Sequence, residues 1–317
     1  MTPASEAVTG GHYRAPPRPG TLPGMPVIEV TDLRCTYGAH VAVDGVDFTV
    51  ERGEVFALLG ANGAGKTTTL ETLEGHRAPQ GGRVRVFGHE PRTARRAVRR
   101  RTGVMLQDGG FAGELTVRET ANLWARLGTR DGDVESDLAQ LDLSHRADVA
   151  VEQLSGGEQR RLEVALAIHG RPELLIFDEP TTGLDPESRR RTWQVIGELV
   201  AAGTTILLTT HYLEEAEALA DRVAILRDGR IAIAGTLGQV SAQLPARIAF
   251  RAPAVPLPPD LEALRVEGRV GEVVLETPRL QPDLARLLAW ADAHDLTLDR
   301  LHARGGSLED VFMTVVA

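Results

Sequence analysis

The stretch of sequence that decides the fold is Gly60-Ala61-Asn62-Gly63-Ala64-Gly65-Lys66-Thr67. It follows a short apolar segment, Glu54–Leu59, and precedes a segment with helical character, Thr67–Glu74. A glycine-rich loop between a predicted strand and a predicted helix is the context in which the pattern G-x-x-x-x-G-K-[ST] binds phosphate, and this context argues against an accidental glycine turn. The stretch therefore predicts an α/β fold that is organised around a phosphate-binding loop.

Each residue type in this loop suits the binding of a phosphate chain. Glycines allow backbone N–H groups to converge on phosphate oxygens, and the following helix adds partial positive charge at its N-terminus. We expect Lys66, the only lysine among 35 basic residues, to reach the β- and γ-phosphates, and Thr67 to offer its hydroxyl to Mg²⁺. The residues predicted to bind nucleotide here are Gly60, Ala61, Asn62, Gly63, Ala64, Gly65, Lys66, Thr67 and Thr68.

Composition narrows the class of protein. The chain has 317 residues, roughly two domains in length, and its 42% hydrophobic and 25% charged residues are typical of a globular protein. A net charge of −9 gives no electrostatic footprint for nucleic acid, so no nucleic-acid partner is expected. The single cysteine, Cys35, excludes an intrachain disulfide and a multi-cysteine metal site. No apolar run is long enough to cross a bilayer, residues 1–26 resemble a flexible tail, and the expected location is the cytoplasm.

Strand and helix patterns alternate along most of the chain. Apolar strand candidates such as Leu174–Phe177, Thr205–Thr209 and Val223–Arg227 are separated by helical segments. This alternation predicts a largely parallel sheet that is flanked by helices. Residues 108–170 are mainly helical in character and predict a helical subdomain inserted into the α/β domain, whose predicted range is 27–240.

A second unit is predicted at residues 241–317. Four prolines within residues 251–260 exclude a continuous helix or a central strand there. The remaining pattern predicts a small α/β accessory domain without a catalytic constellation. Its predicted elements are strands at 272–277 and 296–301 and helices at Pro282–Ala293 and 308–316.

Two carboxylates end a predicted strand beyond the helical insertion. The apolar run Leu174–Phe177 leads directly into Asp178 and Glu179. At the edge of a sheet beside a phosphate loop, such a pair predicts a residue that holds Mg²⁺, here Asp178, and a residue that polarises the attacking water, here Glu179. A helix cap or a pair of solvated acids is the alternative interpretation of the same two residues.

A further motif lies between the phosphate loop and the Asp-Glu strand. The stretch Leu154-Ser155-Gly156-Gly157-Glu158-Gln159-Arg160-Arg161 resembles the signature motif of ATP-binding cassette (ABC) ATPases. The other landmarks of this family follow in order, which extends the resemblance over about residues 27–240. They are Tyr37, Gln107, the segment Gly183-Leu184-Asp185, and His211. Ala61 departs from the family, in which proline is common at this position, and we expect little effect because the glycines remain.

The resemblance implies a role for each landmark and implies ATP and Mg²⁺ as cofactors. Tyr37 would stack on the purine, Gln107 would contact Mg²⁺ or its water, and His211 would reach the γ-phosphate. Glu179, His211 and Lys66 are the catalytic candidates, and Thr67, Gln107 and Asp178 are the metal candidates. Packing or solvation is the alternative for Tyr37, Gln107 and His211 taken singly.

The signature segment also bears on assembly. In the family, the serine hydroxyl and glycine N–H groups of this segment complete the nucleotide site of a second cassette, so Ser155, Gly156 and Gly157 are expected to bind nucleotide across a head-to-tail dimer interface. The D-loop residue Asp185 is a further nucleotide-binding candidate that the resemblance implies. Only one cassette is encoded, so the second is expected to be another copy of the chain. A capping box between Ser155 and Glu158 is a compatible interpretation.

Three sequence segments outside the phosphate loop and the signature motif resemble a subgroup of the family, the exporter ATPases of the daunorubicin-resistance type. They are residues 208–217, 228–231 and 307–312. The subgroup implies a separate membrane permease as partner and a location on the cytoplasmic face of the membrane. The competing hypothesis is a soluble ABC ATPase that acts on ribosomes or DNA, but such proteins usually carry two cassettes or zinc cysteines.

A basic stripe remains outside these motifs. It is formed by Arg92, Arg95, Arg96, Arg99 and Arg100, which recur at helical spacing. A solvated helix face is the default interpretation, and contact with anionic lipid or with an acidic partner loop is the alternative.

Overall fold

The protein is described by a computed structural model for residues 25–105, 110–268 and 270–316. The chain divides into two compact units, with the boundary between Gly235 and Thr236. The predicted tail up to residue 24 and the candidate Gln107 lie outside the described residues. Within the described parts of the chain, no helix combines the length and the apolar character that crossing a membrane requires.

The first unit contains strands and helices in alternation. Its strands are β1 (Ile28–Tyr37), β2 (His40–Val50), β3 (Val55–Gly60), β4 (Gly81–Val86), β5 (Thr102–Met105), β6 (Leu174–Asp178), β7 (Thr205–Thr210), β8 (Arg222–Arg227) and β9 (Arg230–Thr236). Its helices are α1 (Lys66–Leu73), α2 (Arg95–Arg99), α3 (Val117–Leu127), α4 (Val134–Gln140), α5 (Gly156–Ile168), α6 (Pro186–Ala201) and α7 (Leu213–Leu219), with short 3₁₀ turns at Ser144–Arg146 and Val151–Gln153.

A six-stranded sheet forms the frame of this unit, in the order β5-β6-β7-β3-β8-β9. The pairs β5/β6, β6/β7, β3/β7 and β3/β8 are parallel, which confirms the predicted fold class. Every residue of β3, β6 and β7 is buried, as parallel strands covered on both faces require. Since Leu59 pairs with Thr210 and Asp178 with Thr209, the residues that follow these three strands meet at one edge of the sheet.

A second sheet in this unit is antiparallel. It has the order β2-β1-β4, and the β1/β2 pairing ends at Tyr37 opposite His40. One apolar cluster joins the two sheets, because it includes Val43 and Val84 from the antiparallel sheet and Phe56 and Leu174 from the parallel sheet. Full burial of such side chains contributes about 1.5–3 kcal/mol each, so the shared core fixes Tyr37 relative to the phosphate loop.

The second unit is built on its own antiparallel sheet. Its strands are β10 (Ala246–Arg251), β11 (Arg265–Val266), β12 (Glu272–Thr277) and β13 (His302–Arg304), in the order β11-β12-β10-β13. Its helices are α8 (Leu237–Ser241), α9 (Pro259–Glu262), α10 (Leu280–Ala293) and α11 (Leu308–Val316). Ile248, Phe250, Leu275 and Leu287 form the centre of its core.

The strand predicted at 296–301 is wrong, because the strand in this region is β13 at His302–Arg304. The N–H of Leu296 donates to the carbonyl of Ala291 at 2.9 Å and closes the end of α10. Asp295 and Arg300 both adopt left-handed backbone conformations, with φ of 52° and 54°. The apolar residues that suggested a strand pack on the core from an irregular segment instead.

Candidate nucleotide site

The phosphate loop connects β3 to α1 and needs glycine at two positions. A Cβ at Gly60 would lie 2.8 Å from the carbonyl oxygen of Leu226, and one at Gly65 would lie 2.5 Å from that of Ala42. Gly65 also has a φ of 106°, which side chains disfavour. Gly63 has a φ of 82°, and a Cβ there would meet nothing within 4 Å. The loop is therefore closely packed at Gly60 and Gly65 and has free space around Gly63.

The N-terminus of α1 is available to an anion. Gly65 occupies the N-cap position and supplies no side-chain acceptor, so the first N–H groups of the helix have no side-chain cap. Ala61, Asn62 and Thr67 are exposed, whereas Ala64 and Thr68 are buried. Free N–H groups and helix polarity at one point are the features that bind phosphate.

Lys66 lies beneath this loop and is only 6% exposed. Its Nζ donates to the carbonyl of Gly60 at 2.7 Å and to that of Ala61 at 3.2 Å. Burial lowers the pKa of Lys66, and the nearby charges of Glu179 and Asp178 oppose that shift. The ammonium is therefore held within the loop and in the field of both carboxylates.

Asp178 ends β6 in a buried position. The hydroxyl of Thr209 on β7 donates to its Oδ1, while its Oδ2 has no hydrogen-bond partner among the residues that the structure describes. Burial raises the pKa of Asp178, and the Thr209 hydrogen bond opposes part of that rise. One carboxylate oxygen is thus fixed by the sheet and the other remains available as a ligand.

Glu179 has a left-handed backbone, with a φ of 51°. This conformation costs a non-glycine residue about 1–2 kcal/mol. The N–H of Glu179 donates to the carbonyl of Thr209 at 3.0 Å, and its Oε2 accepts from the Thr182 hydroxyl at 3.1 Å. Its Oε1 lies 3.0 Å from Nδ1 of His211, whose side chain is partly exposed. The strained turn therefore places a carboxylate and an imidazole in contact.

Arg160 of α5 stabilises this turn from below, a role that the sequence analysis missed. Its guanidinium donates to the carbonyls of Asp178 at 2.7 Å, Glu179 at 2.5 Å and Pro180 at 3.2 Å. The side chain is buried, and its remaining charge is balanced by Glu163 at 2.5 Å. A buried arginine that donates to successive carbonyls fixes the backbone that carries both carboxylates.

Tyr37 lies at the end of β1 with 46% of its surface exposed. Its Oη is 3.3 Å from the hydroxyl of Thr68, in the first turn of α1, and donates to Oε2 of Glu71 at 3.1 Å. The guanidinium of Arg77 lies over one face of the ring, 3.8 Å from its centre. The ring is thus attached to the helix that follows the phosphate loop.

The signature residues occupy the N-terminus of α5. Ser155 is the N-cap, and with Glu158 it forms the capping box that the sequence suggested. Burial alone would raise the pKa of Glu158, but the N–H of Ser155, the guanidinium of Arg146 and the hydroxyl of Ser155 together lower it to about 2. Ser155 and Gly156 are exposed, and a Cβ at Gly156 would meet nothing within 4 Å.

Asp185 lies close to this helix end. It caps α6 by accepting from the N–H groups of Glu187 at 2.9 Å and Ser188 at 3.0 Å. These bonds, the interactions with Ser188 foremost, lower the pKa of Asp185. A Cβ at Gly157 would lie 3.8 Å from Oδ2 of Asp185. Across the described ranges, no hydrogen bond or ion pair joins residues 155–157 to the loop 60–67.

The donor set at the sheet edge suits Mg²⁺ bound together with phosphates. An exposed hydroxyl on Thr67 and an available carboxylate oxygen on Asp178 are hard oxygen ligands. Within the described residues no group of three or more His, Cys, Asp or Glu could form a metal site by itself. Mg²⁺ usually takes one or two protein ligands and completes its shell with phosphate and water, so this sparse set fits it.

Comparison with known proteins identifies the family. The family model described as ABC transporter matches residues 43–182, and a model for the C-terminal domain of ABC-transporter-domain-containing proteins matches residues 246–307. The Nod factor export ATP-binding protein I of Ralstonia nicotianae is 37% identical over 95% of this chain and 97% of its own length. This chain belongs to the ABC transporter ATPases.

Other relatives of this ABC ATPase match a smaller share of the chain. The daunorubicin/doxorubicin resistance ATP-binding protein DrrA of Streptomyces peucetius is 42% identical over 68% of this chain and 67% of its own length. A solved ATP-binding subunit of an ABC transporter is 32% identical, with a TM-score of 0.63 over 68% of this chain and 92% of the other. A dimeric bacterial ABC transporter cassette shares the fold, with a TM-score of 0.61 over 66% of this chain and 98% of the other.

The family and fold predicted from the sequence are confirmed, and the ABC ATPase binds and hydrolyses ATP. Its structure brings together Lys66, Asp178, Glu179 and His211, and it places the Tyr37 hydroxyl against α1, the helix that follows the loop. Gln107 lies outside the described residues. The individual roles of all these residues stay predictions.

Proposed function

We propose that the chain is the ATP-hydrolysing subunit of an exporter and that it works as a head-to-tail dimer with a separate membrane permease. The observation that carries the hydrolytic part is the 3.0 Å contact between Glu179 and His211 at the sheet edge that also holds Lys66 and Asp178. A carboxylate beside an imidazole and an ammonium is the set that positions a water and neutralises a phosphoryl group.

In this proposal each residue has a defined task. Glu179 accepts a proton from the water that attacks the γ-phosphorus, and the bond from that phosphorus to the ADP oxygen breaks. His211 uses Nδ1 toward Glu179, which leaves Nε2 for a γ-phosphate oxygen. Lys66 and the N–H groups of the loop hold the β- and γ-phosphates.

Mg²⁺ supplies charge neutralisation for the phosphates when it is bound. Thr67 and Asp178 are the residues that would hold it, because they offer a free hydroxyl and a free carboxylate oxygen. We also assign Gln107 to this group from its place in the sequence after β5.

The dimer is supported by the exposed N-terminus of α5. Ser155, Gly156 and Gly157 present a hydroxyl and helix N–H groups that are not bonded to the loop of their own chain. A second copy, joined by two-fold symmetry, would place each signature on the nucleotide of its partner, with Asp185 next to that contact.

The exporter assignment rests on relatives that are named for Nod factor export and for daunorubicin resistance. We propose that the chain lies on the cytoplasmic face of the membrane through a permease, with residues 27–240 as the cassette and 241–317 as an accessory unit for dimer contact or regulation. The ribosome- or DNA-directed alternative has no support among these relatives.

Mixing two inactive variants tests the composite site. Lys66→Ala disables the loop, and Gly156→Asp places a carboxylate where the signature would meet phosphate. In a head-to-tail heterodimer, one site combines the intact loop of one chain with the intact signature of the other, so we expect ATPase activity to return when the purified full-length variants are mixed. Two inactive variants that stay inactive together, over a range of concentrations that sustains wild-type activity, would show that the site does not form between chains.

A further inference from the structure

The guanidinium of Arg77 covers one face of the Tyr37 ring. The guanidinium carbon of Arg77 lies 3.8 Å from the centre of the ring, and the residue still exposes 46% of its surface. A cation at this distance over an aromatic face attracts the ring. The face opposite Arg77 is therefore the one that an incoming base can stack on.

The ring is also held at its edge. Its Oη donates to Oε2 of Glu71 at 3.1 Å and lies 3.3 Å from the hydroxyl of Thr68. Nε of Arg77 donates to the same Glu71 oxygen, also at 3.1 Å. Glu71 thus links the tyrosine and the arginine, so the ring has little freedom to rotate or to tilt.

The turn after α1 brings Arg77 into this position. Gly75 has a φ of 74°, and a Cβ there would lie 2.7 Å from the carbonyl oxygen of Pro91, so only glycine fits. The N–H groups of His76 and Arg77 both donate to the carbonyl of Glu71, at 2.9 and 3.2 Å. The backbone returns against the helix and places the Arg77 side chain under the ring.

We propose that Arg77 is a positioning residue for the adenine of ATP, which holds the Tyr37 ring with one face presented to the base. The inference rests on the proposed function, because Tyr37 meets a base only if the loop binds the phosphates. Thr68 is two residues from Lys66, so a ring fixed to Thr68 and Glu71 sits at a set distance from the phosphate site. Because the ring is already ordered before ATP binds, the side chain loses little conformational entropy on binding, and this raises the affinity for the base.

The test measures ATP hydrolysis and ligand binding by the full-length chain. We expect Arg77→Ala to raise the KM for ATP by about 3- to 10-fold with kcat unchanged, the size of effect that one stacking or cation–π contact produces. Binding of inorganic tripolyphosphate, which has no base, should be unchanged. Arg83→Ala is the matched control, since Arg83 is an exposed arginine of β4 that makes no side-chain hydrogen bond or ion pair within the described residues.

Double substitution separates this role from a structural one. If Arg77 acts through the ring, Arg77→Ala should have no further effect on ATP affinity when Tyr37→Ala is already present. Additive losses in the double variant, or an equal loss of tripolyphosphate binding, would overturn the inference. If Tyr37→Ala itself leaves ATP affinity unchanged, the base site is wrong, and a wild-type chain that binds neither ligand would contradict the proposed function instead.

Discussion

Oε1 of Glu179 lies 3.0 Å from Nδ1 of His211, and the backbone of Glu179 is left-handed at this point. A conformation that costs energy is kept here by hydrogen bonds from Arg160 and Thr182. The strained backbone thus holds the Glu179 carboxylate in contact with the His211 imidazole at the edge of the parallel sheet, where the carboxylate can accept a proton.

Replacement of this carboxylate should separate ATP binding from hydrolysis. Glu179→Gln keeps the shape of the side chain but removes its basicity, so we expect phosphate release to fall by about 10²- to 10⁴-fold. ATP should then accumulate in the closed dimer, which size-exclusion chromatography with saturating ATP would detect. A Glu179→Gln chain that remains monomeric under these conditions argues against the assigned base or against the dimer.

The size of the cation at position 66 should matter as well as its charge. Nζ of Lys66 donates to two loop carbonyls at 2.7 and 3.2 Å in a buried position, and the larger planar guanidinium of arginine does not reproduce the geometry of this compact ammonium. We expect Lys66→Arg to lower kcat/KM by about 100-fold or more, the loss seen when one positioned donor is removed. Near-normal turnover by this variant, measured beside Arg83→Ala, would mean that charge alone suffices.

The open space at Gly156 allows the interface to be tested without damage to the monomer. Gly156 begins α5, and alanine there meets nothing within 4 Å, so Gly156→Ala should be neutral or stabilise the fold by up to about 1 kcal/mol. The same methyl group would face the nucleotide of the partner chain. We expect an unchanged or higher melting temperature together with weaker ATP-induced dimerisation in the Glu179→Gln background. A lower melting temperature would show that the position supports the monomer instead.

A buried carboxyl near the site should make stability depend on pH. Burial, with the charges of Asp178 and Glu71, raises the pKa of Glu74 to about 7, and Arg99 opposes the shift. The folded state then holds a proton that the unfolded state loses near pH 4.5, so stability falls as the pH rises from about 4.5 to 7, and the penalty is complete above 7.

Glu74→Gln removes this titration. We expect the variant to match the wild type near pH 4.5 and to be more stable at pH 8 by about 1–3 kcal/mol, as measured by urea denaturation at each pH. Glu217→Gln is the control, since Glu217 is an exposed carboxyl of α7 that makes no side-chain hydrogen bond or ion pair within the described residues. A stability difference that stays constant across this range would mean that Glu74 is ionised throughout.

The sequence predicted the parts of the fold that local patterns encode. The largely apolar runs of β3, β6 and β7 are long enough and bounded clearly enough to mark a parallel sheet, and the loop motif indicated where phosphate would bind. Helical segments were predicted between β6, β7 and β8, and α6 and α7 lie there in the structure. These features depend on residues that are close together in the chain, so a single sequence is enough to predict them.

Features that depend on distant partners were not predictable. Arg160 donates to carbonyls 18 to 20 residues away, and nothing in its neighbours distinguishes it from Arg161. Arg77 reaches Tyr37 only because the glycine turn after α1 reverses the chain. The segment 296–301 was assigned to a strand because its sequence is rich in apolar residues, but Leu298 and Leu301 pack on the core from outside the regular strand pairing. Burial is visible in a pattern of residue types, whereas the geometry of the burial is not.

Helix α5 reaches two different nucleotides in the proposed dimer. In that dimer its first residues, Gly156 and Gly157, face the ATP held by the partner chain. One turn later, Arg160 donates a hydrogen bond to the carbonyl of Glu179 in its own chain. A tilt of this helix on contact with one ATP is therefore transmitted to the base that hydrolyses the other. We expect ATP hydrolysis at the two sites to be cooperative, with a Hill coefficient above one. A strictly hyperbolic dependence of the hydrolysis rate on ATP concentration would show that this turn of α5 does not couple the two sites.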